Sequence, residues 1–423
     1  MNNKTVILVE SGCWGSEIPA IKELGYNVIY ITTGLTPFKK EYNELTLLTI
    51  ESRNIINTSK LKQMIIELMG EHEIIAMFST SDFFIHPIAM LNEELEFYTL
   101  NSETVRDFVN KDLFRKKQLE LNYNVPEFYA LETLEDGIQV MNQSSRSEWI
   151  FKPVNGNESV GVKLISTVDE LKECIKGLNN LSRATGNMIL KKYLLEEYIP
   201  GEVYSCEFIV SKSRVEILGV TDRLISKKPI FAELGYTFPL EDDHISNKII
   251  ELTEQFIRDF NYDFGPCHIE YIVNEQKEIY ICEVNARLAG PPNHWMMNKA
   301  FDTDILRHIS NLYITGNCEK IRGSSQNIVT CLEITSPING FLKKVTTKSD
   351  WTQDGSVEIV VNQSDGRFVK KASSNTDIVA RILTIGNDRR QSHQLAFSVF
   401  QDLRLDLDVA PVLEVELPED WIH

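Results

Sequence analysis

The first eighty residues read strand, helix, strand, helix, strand. "TVILVE" (5–10) leads to a helical stretch across "GSEIPAIKELG" (15–25), then "NVIYITT" (27–33), a second helical stretch across "TSKLKQMIIELMG" (58–70), and "IIAMFST" (74–80). Parallel strands need a crossover between them, and a helix supplies it. This alternation therefore predicts a Rossmann-like parallel sheet with helices on both faces. In such sheets ligands sit beyond the carboxyl ends of the strands. Two loops fall there: "ESGCWGSE", with Gly12 and Gly15, and the segment that carries Asp82 after "MFSTS". The glycine spacing is not G-x-G-x-x-G, which counts against a dinucleotide site. A plain tight turn and a small-substrate loop both remain open.

A chain of 423 residues is too long for one ordinary core. The changes of character along it place boundaries near 105, 205 and 322, giving regions 1–105, 106–205, 206–322 and 323–423. Residues 101–121 have helical propensity with start signals at Asn101 and Ser102, and Pro126 closes that section. From 149 to 210 the pattern turns to hairpins. A helix is expected at 244–260 and strands at 267–284. Residues 325–423 alternate apolar and polar positions, with one helix candidate at 391–401, so an α+β extension is expected there.

Several classes of function are disfavoured. The formal charge of −18 without a basic block gives no footprint for a nucleic-acid backbone. No run of about 18 apolar residues predicts a membrane span. "MNNKTVILVE" lacks the features of a signal peptide. The seven cysteines are scattered, odd in number and never spaced C-x-x-C, as expected for reduced, buried thiols in a cytoplasmic protein.

"CHIEYIV" (267–273) and "EIYICEV" (278–284) are joined by four polar residues and read as a β-hairpin. A connection of two or four residues pairs positions whose numbers sum to an odd value, as 270 and 283 do. Glu270 and Glu283 then share one face, opposite or one diagonal step apart. Two carboxylates that close repel unless a cation sits between them. Mg²⁺ suits, because it is usually held by one or two carboxylates plus substrate phosphates. Asn285 and Arg287 continue the same alternation before "LAGPP" forces a turn. A solvent-facing polar row is the competing reading.

Upstream, "FKPVNGNESVGV" puts Lys152 at a strand end and follows it with Gly156, Ser159 and Gly161. Such a loop exposes backbone N–H groups that can line phosphate oxygens, or it is merely a hairpin turn. Lys111 in "NKDLFRKK" is phosphate-binding or solvated. "LLEEYIPGEVYS" reads as a connector with Glu196 and Glu197 at a charged strand end.

Taken together, these segments resemble the ATP-grasp superfamily, and within it the carboxylate–amine ligases of the L-amino acid (dipeptide-forming) ligase type. The resemblance runs from about residue 5 to residue 316, and "EVNAR" with a glutamate thirteen residues earlier carries most of it. It implies an ATP-grasp fold of α/β class. Lys111 and Lys152 would bind nucleotide phosphates, with residues 155–162 as a mobile loop over them. Glu196, Glu197 and Ile199 would contact adenine. Glu202 stands one place before Val203, the position where the family has its ribose acid. Glu270, Glu283 and Asn285 match the magnesium ligands, and Arg287 the catalytic arginine. "FAELGYTFP" resembles a substrate segment in which Glu233 fits and Tyr236 replaces a histidine; Gly290, His294 and Trp295 fall where a substrate loop would lie. The implied cofactors are ATP and Mg²⁺, two ions, with Mn²⁺ as a substitute. The implied partners are a small carboxylate, a small amine and a second copy of the chain in a homodimer. A purine-pathway or bicarbonate-using ligase of the same superfamily, and a nucleotide-binding protein without turnover, are the alternatives.

Overall fold

The computed structural model describes residues 3–156, 159–226, 233–241, 244–321, 327–363, 366–371 and 377–408. The amino-terminal strands β1 (Lys4–Val9), β2 (Asn27–Thr32), β3 (Leu48–Glu51) and β4 (Glu73–Phe78) form a parallel sheet in the order β3-β2-β1-β4. β1 and β2 are apolar almost throughout because helices cover both faces. Helix Thr58–Glu71 buries Leu61, Ile65 and Leu68, one stripe at helical spacing, and Asn57 caps it by accepting from the Lys60 N–H at 3.1 Å. The edge strand β3 escapes sequence reading, since both its faces are half-exposed and carry no alternation. The single helical stretch expected at 101–121 is two helices, Ser102–Val109 and Lys111–Glu120. They break at Asn110, whose extended backbone (φ −107°, ψ 98°) starts the second helix at Lys111.

A second sheet holds β5 (Phe128–Leu131), β6 (Trp149–Pro153), β7 (Lys163–Ile165) and β8 (Tyr193–Glu197) in the order β5-β8-β6-β7. Helix Val168–Ala184 packs Leu171, Cys174 and Leu178 onto Trp149, Phe151 and Tyr193. A capping box between Thr167 and Glu170 fixes its start.

The largest sheet has eight strands. Its central members are β9 (Gly201–Ser211), β10 (Arg214–Ile225), β11 (Glu233–Phe238), β12 (Gly265–Asn274), β13 (Ile279–Asn285) and β14 (Ile328–Thr335). The carboxy-terminal region adds β15 (Gly340–Thr347), β16 (Val357–Val361), β17 (Phe368–Val369), β18 (Ile378–Gly386) and β19 (Leu403–Asp408). The order β13-β12-β9-β10-β11-β14-β18-β16 runs without interruption from the hairpin into the carboxy-terminal strands; β17-β15-β19 is a separate small sheet.

Alternation gives the large sheet two unlike faces. Cys206, Phe208, Cys267, Ile269 and Tyr271 point to one side and pack on Ile249 and Phe256 of helix His244–Asp259. Each such side chain contributes roughly 1.5–3 kcal/mol through burial. The opposite face carries Ser205, Glu207, Thr221, Arg223, His268, Glu270, Glu283 and Asn285, a polar band across four strands. That band needs partners or a ligand, and it floors the cleft described next.

Candidate active site

Glu270 and Glu283 are direct cross-strand partners. The hairpin nevertheless starts in the other phase, with Val273 opposite Ile279, because five residues, 274–278, separate this last pair. Cys282 is an extra residue in β13, a bulge between the Tyr271–Ile281 and Glu270–Glu283 pairs, and it restores the odd-sum register. The expected pairing holds, but through a bulge that the argument from loop length did not contain. Arg115 fastens this bulge. Its guanidinium donates to the carbonyls of Ile281 (3.0 Å) and Cys282 (2.8 Å), to Gln118 (2.7 Å) and to Glu196 (2.9 Å).

Charges in the cleft are paired closely. Lys152 Nζ lies 2.6 Å from Glu196, which therefore neutralises two buried cations. Burial pushes the Glu196 carboxyl up, yet Arg115 and Lys152 together hold it below the usual carboxylate range. Lys111 Nζ meets Glu283 at 3.0 Å and the Gly156 carbonyl at 3.2 Å. Burial opposes its charge, but Glu283 leaves its pKa raised. Arg223 joins Glu233 to Glu270, the latter at 2.6 Å, and His268 reaches Glu270 at 3.2 Å and Glu207 at 2.7 Å. Against the upward push of burial, Arg223 and then His268 hold the Glu270 carboxyl far below its ordinary value. Arg287 and Asp82 form a forked pair at 2.7 and 2.5 Å, joining β13 to the amino-terminal sheet.

These groups divide one cleft into two chambers. The first, about 640 Å³, is lined by Ile150, Val162, Ile199, Val203, Ile272 and Tyr280, with Lys111, Lys152, Gly156 and Ser159 at one end. The second, about 460 Å³, takes Gly12, Lys39, Thr80 and Asp82 from the amino-terminal region, Tyr236, His268, Asn285, Arg287 and Gly290 from the centre, and Arg367 and Arg381 from the carboxy-terminal region. Ser159, Arg223, Glu233, Glu270 and Glu283 line both, so the carboxylate pair stands where the chambers meet. Gly12 belongs here for a steric reason. A Cβ would collide with the Thr80 carbonyl, and the Gly12 N–H donates to Thr80 Oγ1 at 2.8 Å, locking the two strand-end loops together.

Residues 145–293 match the family model described as ATP-grasp domain. The chain has the ATP-grasp fold. An L-amino acid ligase from Bacillus licheniformis superposes with a TM-score of 0.81 over 96% of this chain and 99% of that one, at 16% identity. By sequence the chain is similar to the uncharacterized protein y4rH of Sinorhizobium fredii, 23% identical over 64% of this chain and 56% of that protein. It is also similar to a D-alanine–D-alanine ligase of Aquifex aeolicus, 27% identical over 46% of this chain and 65% of that one. The chain thus spans about 56–65% of the length of these curated relatives.

Within the ATP-grasp cleft the residues singled out from sequence fall into groups. Lys111, Lys152, Gly156, Ser159, Glu196, Glu197 and Ile199 line the first chamber. Asn157 and Glu158 of the expected 155–162 loop lie outside the described residues, as do Phe231 and Ala232 of "FAELGYTFP". Gly161 adopts φ +81° beside Pro153 and lies off the lining. Glu202 points away, accepting a bond from Tyr204 at 3.0 Å, and its neighbour Val203 lines the wall instead. The Glu196 carboxylate is held by Arg115 and Lys152, so the side chain anchors Lys152 rather than standing free at the wall. Glu233, Tyr236 and Gly290 line the second chamber. His294 and Trp295 stand off the lining, His294 buried and Trp295 against Trp14.

Sequence reading missed Arg115, Arg223, Glu207 and Arg381. Arg115 had a signal, because Lys111, Arg115 and Gln118 share one helix face at i, i+4 and i+7. The other three sit singly on strands and become visible only when the order of the large sheet sets β9 beside β10 and β12, and β18 beside β14.

The donors present fit a divalent cation. Two carboxylates directly opposite each other, with the Asn285 amide next on the same face, are the hard oxygen set that Mg²⁺ takes. Among the described residues no group of three or more His, Cys, Asp or Glu side chains is placed to hold an ion alone. Ligands from a bound phosphate would complete such a site.

Proposed function

We propose that the protein is an ATP-dependent carboxylate–amine ligase, forming an amide bond between small amino-acid-like substrates through an acyl phosphate. One observation carries this reading: an apolar chamber with lysines at one end and a polar chamber rich in charge meet at Glu270 and Glu283. A purine fits the first by its apolar walls, with its phosphates toward Lys111, Lys152, Gly156 and Ser159. Glu270, Glu283 and Asn285 would hold Mg²⁺, which supplies neutralisation of phosphate charge when bound.

The protein's own groups would act mainly by position and charge. Lys152, braced by Glu196, and Lys111 orient the nucleotide. Arg287, braced by Asp82, faces the place where the transferred phosphoryl group gathers negative charge. A substrate carboxylate oxygen bonds to the γ-phosphorus as the bond to the ADP oxygen breaks. The amine nitrogen then bonds to the acyl carbon, phosphate leaves, and the amine gives up a proton. Nucleotide and substrates filling the two chambers would exclude water that would hydrolyse the acyl phosphate. No side-chain nucleophile is needed.

The test is incubation of the full chain with ATP, Mg²⁺ and an amino-acid panel, reading ADP, phosphate and product mass, with Glu283→Ala in parallel. The reading expects an amide product whose formation collapses in the variant. A carboxylated product, or ATP consumption unchanged by Glu283→Ala, would overturn it. A homodimer, expected from the family likeness, is checked by light scattering on the purified chain.

A further inference from the structure

Four arginines, Arg223, Arg287, Arg367 and Arg381, line the second chamber, and the first two are ion-paired with carboxylates that line it too. Arg287 is forked onto Asp82, and Arg223 bridges Glu233 and Glu270. Arg381 differs. It lies on β18 opposite Glu333 of β14, is 5% exposed, and makes one bond, Nε to Glu333 Oε1 at 3.0 Å. Its Nη1 has no hydrogen-bond partner, and neither has Glu333 Oε2. The guanidinium carbon lies 5.5 Å from the ring of Trp14 and 5.7 Å from that of Trp295, and these two indoles meet edge to face. His294, whose ring meets that of Trp295 edge to face, is buried with neither ring nitrogen bonded. A buried donor left unsatisfied costs free energy, so unpartnered polar groups lining a cavity indicate what fills it. Carboxylates match a guanidinium's fork, and the indoles flanking it keep competing water away.

We infer that Arg381 binds a non-reacting carboxylate of a substrate held in the second chamber, so that the enzyme selects substrates carrying an anionic group away from the bond it forms. This rests on the ligase reading above. It gives the carboxy-terminal strands a direct part in substrate choice: β18 delivers Arg381 to the chamber through the same sheet that bears Glu270 and Glu283. The carboxylate is either the free α-carboxylate of the amine substrate or a second carboxylate on the acyl substrate.

The experiment compares the full chain with Arg381→Met/Glu333→Met, which removes both members of the buried pair and leaves neither charge alone, and with Arg381→Lys. Amino acids, their C-terminal amides and dicarboxylic amino acids are assayed for phosphate release and product mass. Binding of the same probes in the presence of MgADP is measured by calorimetry. In the double variant, KM for substrates with the carboxylate should rise about ten- to hundredfold, with kcat changed little. Amides should be poor substrates of the natural chain and indifferent to the change, and Arg381→Lys should fall between. Loss on amides marks the amine's carboxylate as the ligand; preference for dicarboxylic substrates marks the acyl side. Equal KM in natural chain and double variant, or equal loss for acids and amides without any preference for dicarboxylic substrates, overturns the assignment while leaving the ligase reading intact. Carboxylate binding that depends on Arg381 without any amide product upholds the assignment and overturns the ligase reading.

Discussion

Replacing Glu196 with glutamine tests the electrostatic frame of the first chamber. The side chain keeps its shape and loses its charge, while Arg115 and Lys152 remain, with side chains only 2% and 7% exposed. Arg115 retains Gln118 and two carbonyls, so the larger loss falls on Lys152, whose ammonium pairs with Glu196. Breaking a buried pair by removing one partner costs about 3–5 kcal/mol, a large share of the roughly 5–15 kcal/mol that keeps a protein folded. Urea unfolding at pH 7 should show that loss. The sign with pH follows from the direction of the shift. The Glu196 pKa is lowered in the folded state, so its contribution is whole above the unfolded value near 4.3 and fades as pH falls through the folded value. The gap between natural chain and Glu196→Gln should therefore narrow in acid. MgADP supplies a new anion for the orphaned ammonium and should stabilise the variant more than the natural chain. A loss below about 1 kcal/mol at pH 7 refutes the reasoning about the buried pair. Equal stabilisation of both proteins by MgADP refutes the placing of Lys152 against phosphate.

Two further outcomes follow from other groups. Burial, reinforced by Lys39 and Arg381, holds the His294 pKa down at about 3, so stability is whole above the unfolded value and lost as pH falls toward 3. By pH 5 roughly 2 kcal/mol should be gone, and His294→Leu should remove that slope; identical acid titrations of the two proteins would count against it. Arg287→Met should lower turnover about a hundredfold or more while nucleotide affinity changes little, measured by single-turnover kinetics and MgADP binding. Unchanged turnover would remove Arg287 from the chemistry.

What was legible in the sequence was local. The strand and helix alternation of residues 5–80 was written in apolar periodicity, and the shared face of Glu270 and Glu283 in the parity of a hairpin. Lys111 and Lys152 could be singled out because each stands next to a segment with its own punctuation, an asparagine break and a glycine-rich turn. What stayed hidden depended on the order of strands. Arg223 and Glu207 look like isolated polar residues in apolar runs until β10, β9 and β12 lie side by side. Arg381 in "DIVARILTIG" reads as a stray charge in a buried strand, and only pairing β18 with β14 brings Glu333 opposite it. β3 stayed hidden because an edge strand half-covered on both sides has no pattern to display.

The single extra residue at Cys282 has a wider meaning for the chain. Tyr280 and Glu283, three positions apart, both border the first chamber and fall on one face of the sheet, which a regular strand with its two-residue repeat would forbid. Cys282 works as a frame-shift in three dimensions: it lets one strand present Tyr280 and, three positions on, the acid Glu283 to the same chamber. Lengthening or shortening the surface turn at 274–278 alters only how the hairpin closes. Deleting position 282 would leave Glu283 and Asn285 on the face of Glu270 but straighten the strand, and Arg115 would lose one of the two carbonyls, those of Ile281 and Cys282, that it holds.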